Sequence, residues 1–187
     1  MLLATVPGIT NAVELLGRAP TTCNSDLPSE RNVATSLVDV ISTRDLNIYL
    51  DHIWQRCFTD IPCVNEVHIT YCQPWKTRLG LIRLSQDNKI SFIGINSLLQ
   101  HEDVPYYVLL TTVAHELTHY AHGFGSPLPR RYKHPHANNV VNRELARRGL
   151  GEYVQQCDEW IDKQWFPFYD SQRILKSPGH AEKSLDI

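Results

Sequence analysis

The sequence predicts an α+β domain, and the order of its hydrophobic patterns is what predicts it. Helical spacing precedes Phe58, three short β-rich runs fall between Val64 and Leu99, and helical patterns return after Pro105. A chain of 187 residues with 42% hydrophobic residues is large enough to bury one continuous core. The expected organisation is an N-terminal extension over 1–30, partly loop, then a folded domain over 31–170 and a flexible C-terminal tail over 171–187.

Each element has its own signal. Residues 18–32, RAPTTCNSDLPSERN, are rich in Pro, Ser, Thr and Asn and read as loop. From Asn32, the positions Val33, Leu37, Val40, Ile41, Leu46, Ile48, Tyr49 and Ile53 recur at helical spacing, as two helices broken near Ser42. VNEVHITYC sets Val67, Ile69 and Tyr71 against more polar neighbours, which is the period of a strand. RLGLIRLS and KISFIGINSLL are two further strands, with QDN between them as a turn. The three form a short antiparallel or mixed sheet. A helix is expected from Pro105 to His122, with Pro in its first turn, then helices over Ala137–Arg148 and Glu152–Trp165. From about Ser171 the chain reads as frayed. KISFIGINS, just before the long helix, reads as the free edge of the sheet, with Gly94 letting another backbone approach, and an ordinary strand paired on both sides is the alternative.

Composition narrows the function classes. A net charge of −2 announces neither a polyanionic partner nor a membrane surface. No apolar run approaches the roughly 20 residues of a spanning helix, and MLLATVPGITNAVELLG lacks the basic start of a signal peptide. Cys23, Cys57, Cys63, Cys72 and Cys157 are odd in number and contain no C-x-x-C pair, so buried thiols in a reducing cytoplasm are expected rather than a disulfide framework or a zinc ribbon.

The chemistry is concentrated in TVAHELTHYAHG, Thr112–Gly123. Val108, Leu109, Leu110, Val113, Ala114 and Leu117 make this helix apolar nearly all round, yet His115, Glu116 and His119 sit within it. Buried polar groups need partners. Residues four apart share a helix face, so His115 and His119 can aim ring nitrogens at one point, where Zn²⁺ takes nitrogen ligands at about 2.0–2.1 Å. Glu116, offset by one, is placed to serve as general base toward a water. Two histidines are one short of the three protein ligands of a catalytic zinc. His122 is about 10 Å along the axis from His115 at 1.5 Å per residue, too far to share the ion. His134, His136 and Glu144 remain as candidates for the third ligand.

With these residues in place the chain resembles the SprT-like zinc metallopeptidases, which include the Spartan proteases acting on DNA–protein crosslinks. The resemblance covers roughly Asp51 to Gly151 and rests on RLGLIRLS…ISFIGINSLL, on LLTTVAHELTHYAHG and on a His-bearing segment that opens a further helix. It implies a minigluzincin-like fold, with the sheet packed on the active-site helix, and a third histidine followed four positions on by a bulky apolar residue. From His136 that position is Val140, and from His134 it is Asn138, so the resemblance selects His136. The pattern's usual Gly after that histidine is Ala137 here, and DEWIDKQWFPFYDSQ carries no metal-ligand spacing, so the crosslink substrate is not carried over.

The expected activity is therefore zinc-dependent peptide hydrolysis on a protein or peptide substrate, with His115, His119 and His136 holding Zn²⁺ and Glu116 as base. The rivals are a zincin with Glu144 as third ligand and a zinc-stabilised binding protein without catalysis. Arg130, Arg131 and Lys133, within a basic stretch that also holds Arg143, Arg147 and Arg148, allow a nucleic-acid contact, although a solvated loop and helix face explain them more simply. Trp160, Trp165, Phe166, Phe168 and Tyr169 are expected to cap the core.

Overall fold

A computed structural model describes residues 44–176. The expected extension over 1–30, the part of the helical spacing over 32–43 and the end of the tail, 177–187, lie outside the described residues. Within them the architecture is α+β, as the hydrophobic patterns predict: α1 (Leu46–Cys57), β1 (Glu66–Cys72), β2 (Gly80–Leu84), β3 (Ile90–Asn96), α2 (Tyr106–Ala121), α3 (Val140–Leu145), α4 (Gly151–Trp160) and α5 (Phe166–Lys176).

Helix α1 starts where the Asp45 carboxylate accepts from the Asn47 backbone N–H at 2.9 Å, closing one of the unpaired donors of the first turn. It buries Leu46, Tyr49, Leu50 and Ile53, the i, i+3, i+4, i+7 face that the sequence shows.

The sheet is three-stranded and mixed, in the order β1-β3-β2, with β1 parallel and β2 antiparallel to β3. The β2–β3 turn centres on Asp87 and Asn88. Asp87 Oδ1 accepts from Ser85 Oγ at 2.6 Å and from the Lys89 N–H at 3.1 Å, while Asn88 takes a positive φ of 61°. This order overturns one expectation. KISFIGINS is the central strand and not an edge: Gly94 stands between Thr70 and Leu81, and a side chain on it would meet Cys72 Sγ. The physical reason is visible in the run itself, since Ile93 and Ile95 are fully buried beside Phe92 and a strand paired on both sides carries a near-continuous apolar run. Among the described residues the edges are β1 and β2.

Helix α2 lies against the sheet and is the centre of the core, with Val108, Leu109, Val113, Ala114, Leu117 and Tyr120 essentially inaccessible. At about 1.5–3 kcal/mol per fully buried large apolar side chain, this one helix anchors the domain. Its hydroxyls are satisfied internally, Thr112 Oγ1 donating to the Val108 carbonyl at 2.7 Å and Thr118 Oγ1 to that of Ala114 at 2.9 Å. It ends at Gly123, whose φ of +75° reverses the chain so that the Phe124 N–H reaches the His119 carbonyl at 2.9 Å. A side chain at Gly123 would strike the Leu128 and Pro129 carbonyls.

Beyond the following loop, a short 3₁₀ turn (Ala137–Asn139) leads into α3, which buries Val140, Val141 and Leu145. The two expected C-terminal helices are present; Gly149, at a φ of 82°, breaks the chain between α3 and α4 within Ala146–Leu150, and a wide turn over Ile161–Trp165 joins α4 to α5. Pro167 has no N–H to give to the preceding turn, which accounts for the widening before it. The helix then runs past Ser171 to Lys176, so the fraying expected from Ser171 is corrected over 171–176. In the aromatic cap, Trp165 and Tyr169 are buried and Trp160 and Phe168 pack on the core, but Phe166 is exposed at 47%.

The cysteines also differ from expectation. Cys57, Cys72 and Cys157 are free, whereas Cys63 is disulfide-bonded. Among the described residues no helix is long and apolar enough to cross a membrane.

Candidate metal centre

Two histidines of one helix and a third from the loop beyond it converge at one point. His115, His119 and His136 each present a ligand atom within 4.8 Å of the others. The first two are brought together by the helix itself: one turn of α2 sets His115 Nε2 3.1 Å from His119 Nε2. His136 arrives from outside, at the foot of the 3₁₀ turn that leads into α3. The buried Val140, Val141 and Leu145 pack α3 on the core, and that packing is what delivers the ring. It lies 4.7 Å from the His119 ring, edge-on, and stacks on the His115 ring at 5.3 Å.

The three ring nitrogens could hold a metal ion. Nitrogens bound at about 2.0–2.1 Å in tetrahedral directions stand about 3.3 Å from one another, close to the His115–His119 separation. Burial pushes the His115 imidazole down to about 4, helped by the His136 charge. Burial, and then the neighbouring charges of His115, His136 and His122, push His119 down to about 3. The His115 and His119 rings are therefore neutral at ordinary pH, the state in which a lone pair is free for a metal. The buried Nδ1 of His119 has no hydrogen-bond partner among the described residues.

Glu116 sits behind this cluster, 5% exposed, and burial raises its carboxyl to about 8 while the Arg78 charge pulls the other way. Strand β2 passes directly over it at Gly80. A Cβ there would stand 2.5 Å from Glu116 Oε1 and 3.0 Å from Thr112 Cγ2, so the strand and the carboxylate can share this space only because residue 80 has no side chain. Gly80 escapes sequence reasoning, its only signal being a glycine inside an apolar strand pattern.

The other candidates are placed elsewhere. Glu144 is bound by Arg147 at 2.8 Å and Arg148 at 2.9 Å. Burial pushes its carboxyl up, but those two hydrogen bonds and charges outweigh burial and hold it below the ordinary range. Arg148 in turn bridges to Asp60 and stacks on Phe58, 4.2 Å from the ring centroid. His134 is exposed and contributes its carbonyl to the turn that receives the Ala137 N–H. His122 is fully buried with its ring edge-on to Tyr132 at 4.8 Å. None of the three joins the cluster.

The basic stretch is divided in the fold. Arg147 and Arg148 pair with Glu144, the charge of Arg131 acts on Asp60 and His122, and the Arg130 guanidinium lies over the Phe124 ring at 5.2 Å. Comparison with known proteins returned no matching family model, no similar curated protein and no similar solved structure.

Proposed function

We propose that this chain is a zinc metalloendopeptidase of SprT-like type with a minigluzincin-like fold. The observation that carries the reading is the convergence of the His115, His119 and His136 ligand atoms within 4.8 Å beside a buried carboxylate, Glu116, that three-histidine coordination does not need. His115, His119 and His136 would hold Zn²⁺, which would supply a Lewis acid that makes water a nucleophile at neutral pH. Glu116 takes the proton of the attacking water as its oxygen bonds to the peptide carbonyl carbon, then returns it to the amine as the C–N bond breaks. A closed structural site would call for a fourth protein ligand, and among the described residues the cluster holds three.

The substrate we propose is an extended polypeptide laid along β2. The Asn96 N–H donates to the Leu79 carbonyl, and the Ser85 N–H donates to the Ile90 carbonyl. With this alternation, Leu81 and Arg83 face β3, so the N–H and C=O groups of Gly80, Ile82 and Leu84 point off the free edge. A groove of about 580 Å³ continues from that edge, lined by Ile82, Leu84, Gly125, Leu128 and Arg130. The cytoplasmic setting stays part of the proposal through the free thiols Cys57, Cys72 and Cys157, and the Cys63 disulfide is what argues against it.

The test is hydrolysis of a fluorescein-labelled unfolded protein by zinc-loaded chain, by chelated chain and by Glu116→Gln. Activity in the first alone supports the reading. Cleavage by Glu116→Gln at the wild-type rate, or no cleavage by the zinc-loaded chain of any unfolded protein, overturns it.

A further inference from the structure

Strand β2 and the loop that follows α2, residues 123–131, are the two walls of the groove beside the candidate site. Both walls are fixed. At Gly125, whose φ is +80°, a Cβ would stand 2.8 Å from Ile82 Cγ1, so the loop backbone lies directly on β2 there. At Gly123 the loop folds back on itself, its backbone against the Leu128 and Pro129 carbonyls. The buried Ser126 Oγ donates to the Tyr120 carbonyl at 2.6 Å, and the Arg131 N–H donates to the His122 carbonyl at 3.1 Å. The exposed Arg130 is therefore mounted on a backbone that is held on both sides of it.

The Arg130 side chain has a definite place. Its guanidinium lies over the Phe124 ring at 5.2 Å, and Phe124 in turn stands edge-on to the His119 ring at 6.3 Å. One aromatic ring thus separates the cation from a candidate metal ligand. Among the described residues Arg130 has no ion-pair or hydrogen-bond partner. No carboxylate among them lines the groove, and the one other charged residue that does is Arg83. Strand alternation turns the Arg83 side chain to the face of the sheet opposite Ile82 and Leu84. On the face toward Arg130 the walls are carbon, from Ile82, Leu84, Pro127 and Leu128, since the Ser126 hydroxyl is already committed to Tyr120.

Position along β2 decides which substrate residue meets this cation. Gly80 lies against the Glu116 carboxylate, and Ile82, which touches the loop, is two residues further along, about 7 Å at the rise of a strand. A polypeptide paired to this edge keeps the same rise, and every second side chain faces the same way. The substrate residue two along from the one beside Gly80 therefore turns its side chain into the groove.

We propose that this groove is a specificity subsite for a carboxylate side chain, Glu or Asp, of the polypeptide substrate, and that Arg130 is its ion-pair partner. The inference rests on the peptidase reading and the β2 pairing above. The methylenes of the substrate side chain pack on Ile82 and Leu128, while the planar guanidinium, held over Phe124, takes the carboxylate through paired N–H donors. The same unpaired positive charge turns away Lys and Arg at this position. Because the contact lies away from the reacting carbonyl and is the same before and during the reaction, it acts on KM and leaves kcat alone.

The experiment uses zinc-loaded full chain and a set of quenched fluorescent peptides. Each carries a single Glu or a single Lys, moved one position at a time through the residues on either side of the cleaved bond. Wild type should prefer Glu over Lys by about tenfold in kcat/KM at one position, two residues from the one beside Gly80, the scale of one charge-assisted hydrogen bond. The difference should lie in KM. Arg130→Gln should abolish the preference and Arg130→Glu should invert it, with zinc content and melting unchanged. Arg83→Gln should leave it as it is. Fluorescence anisotropy of the same peptides on zinc-loaded Glu116→Gln, which reads binding without turnover, should show the same order.

Peptide cleavage with no position that prefers Glu, or a preference that survives in Arg130→Glu, would overturn the proposal while the peptidase reading stands. Loss of the preference in Arg83→Gln would also overturn it, placing the carboxylate on the other face of the sheet. A wild type that cleaves none of the peptides and no unfolded protein would remove the peptidase reading, and this proposal with it.

Discussion

Replacing Gly80 by alanine inserts a methyl carbon 2.5 Å from Glu116 Oε1, with Glu116 Cγ and Thr112 Cγ2 both at 3.0 Å. Ordinary contact begins near 3.4 Å, so the carboxylate oxygen must retreat by about 0.9 Å, the difference between 3.4 and 2.5 Å. The strand cannot make the room instead, because Leu79 and Leu84 flank it in a ladder paired to the buried β3. Glu116 is 5% exposed, so the methyl group displaces the carboxylate within a packed environment rather than into solvent. A displacement of about 1 Å at a catalytic group costs on the order of 10² in rate, equivalent to about 2.7 kcal/mol of barrier. The overpacking itself should cost about 1–3 kcal/mol of stability. The histidine ring nitrogens are not touched by this methyl group, so zinc content should hold. The assay is kcat on a labelled unfolded protein, with zinc measured by atomic absorption and folding checked by melting at the assay temperature. Wild-type turnover in folded Gly80→Ala would show that β2 does not constrain Glu116 and would refute the reasoning.

Other expectations follow from the same geometry. His119→Ala and His136→Ala should lose bound zinc on dialysis. His134→Ala should keep it, and so should Glu144→Ala, although leaving Arg148 without its buried partner should cost that variant about 3 kcal/mol of stability in urea melts; zinc lost from Glu144→Ala but kept by His136→Ala would reverse the ligand assignment. In metal-free protein the folded Glu116 carboxyl, raised to about 8, holds a proton that the unfolded chain has released above about 4.5, so stability should fall as pH rises from 6.5 to 8 by at most about 1.4 kcal/mol per unit. Glu116→Gln should flatten that slope, and an unchanged slope would count against the burial of the carboxyl. Below pH 6.5 the sign reverses for His115 and His119: their folded values near 4 and 3 mean that the unfolded chain takes up more protons, so their contribution to stability is lost as the pH falls through that window. Gly94→Val should lower the melting temperature through contact with Cys72 Sγ at 2.7 Å and Leu81 Cγ at 3.3 Å, with KM unaffected, because β3 is internal; a rise in KM in folded Gly94→Val would contradict this.

Legibility in the sequence followed the range of the interaction. His115, Glu116 and His119 could be read directly because a helix turn sets their relation, and the apolar residues around them already required a buried helix. The α+β order and most element positions were legible for the same reason, since periods of 2 and 3.6 are local properties. The third histidine was not, because His136 reaches the cluster only through the packing of α3 on the core, and residues alone left His134 and Glu144 open. That Glu144 is committed to Arg147 and Arg148 depends on Phe58 and Asp60 meeting Arg148 across the fold. Strand order was misjudged because a buried apolar run looks the same at an edge and in the middle until its neighbours are known. Gly80 draws its role from Thr112 and Glu116, more than fifteen positions away, and Cys63 is likewise read correctly only from the structure. Local periodicity thus set the elements and half of the candidate site, while close packing between distant segments, which no single stretch encodes, decided the rest.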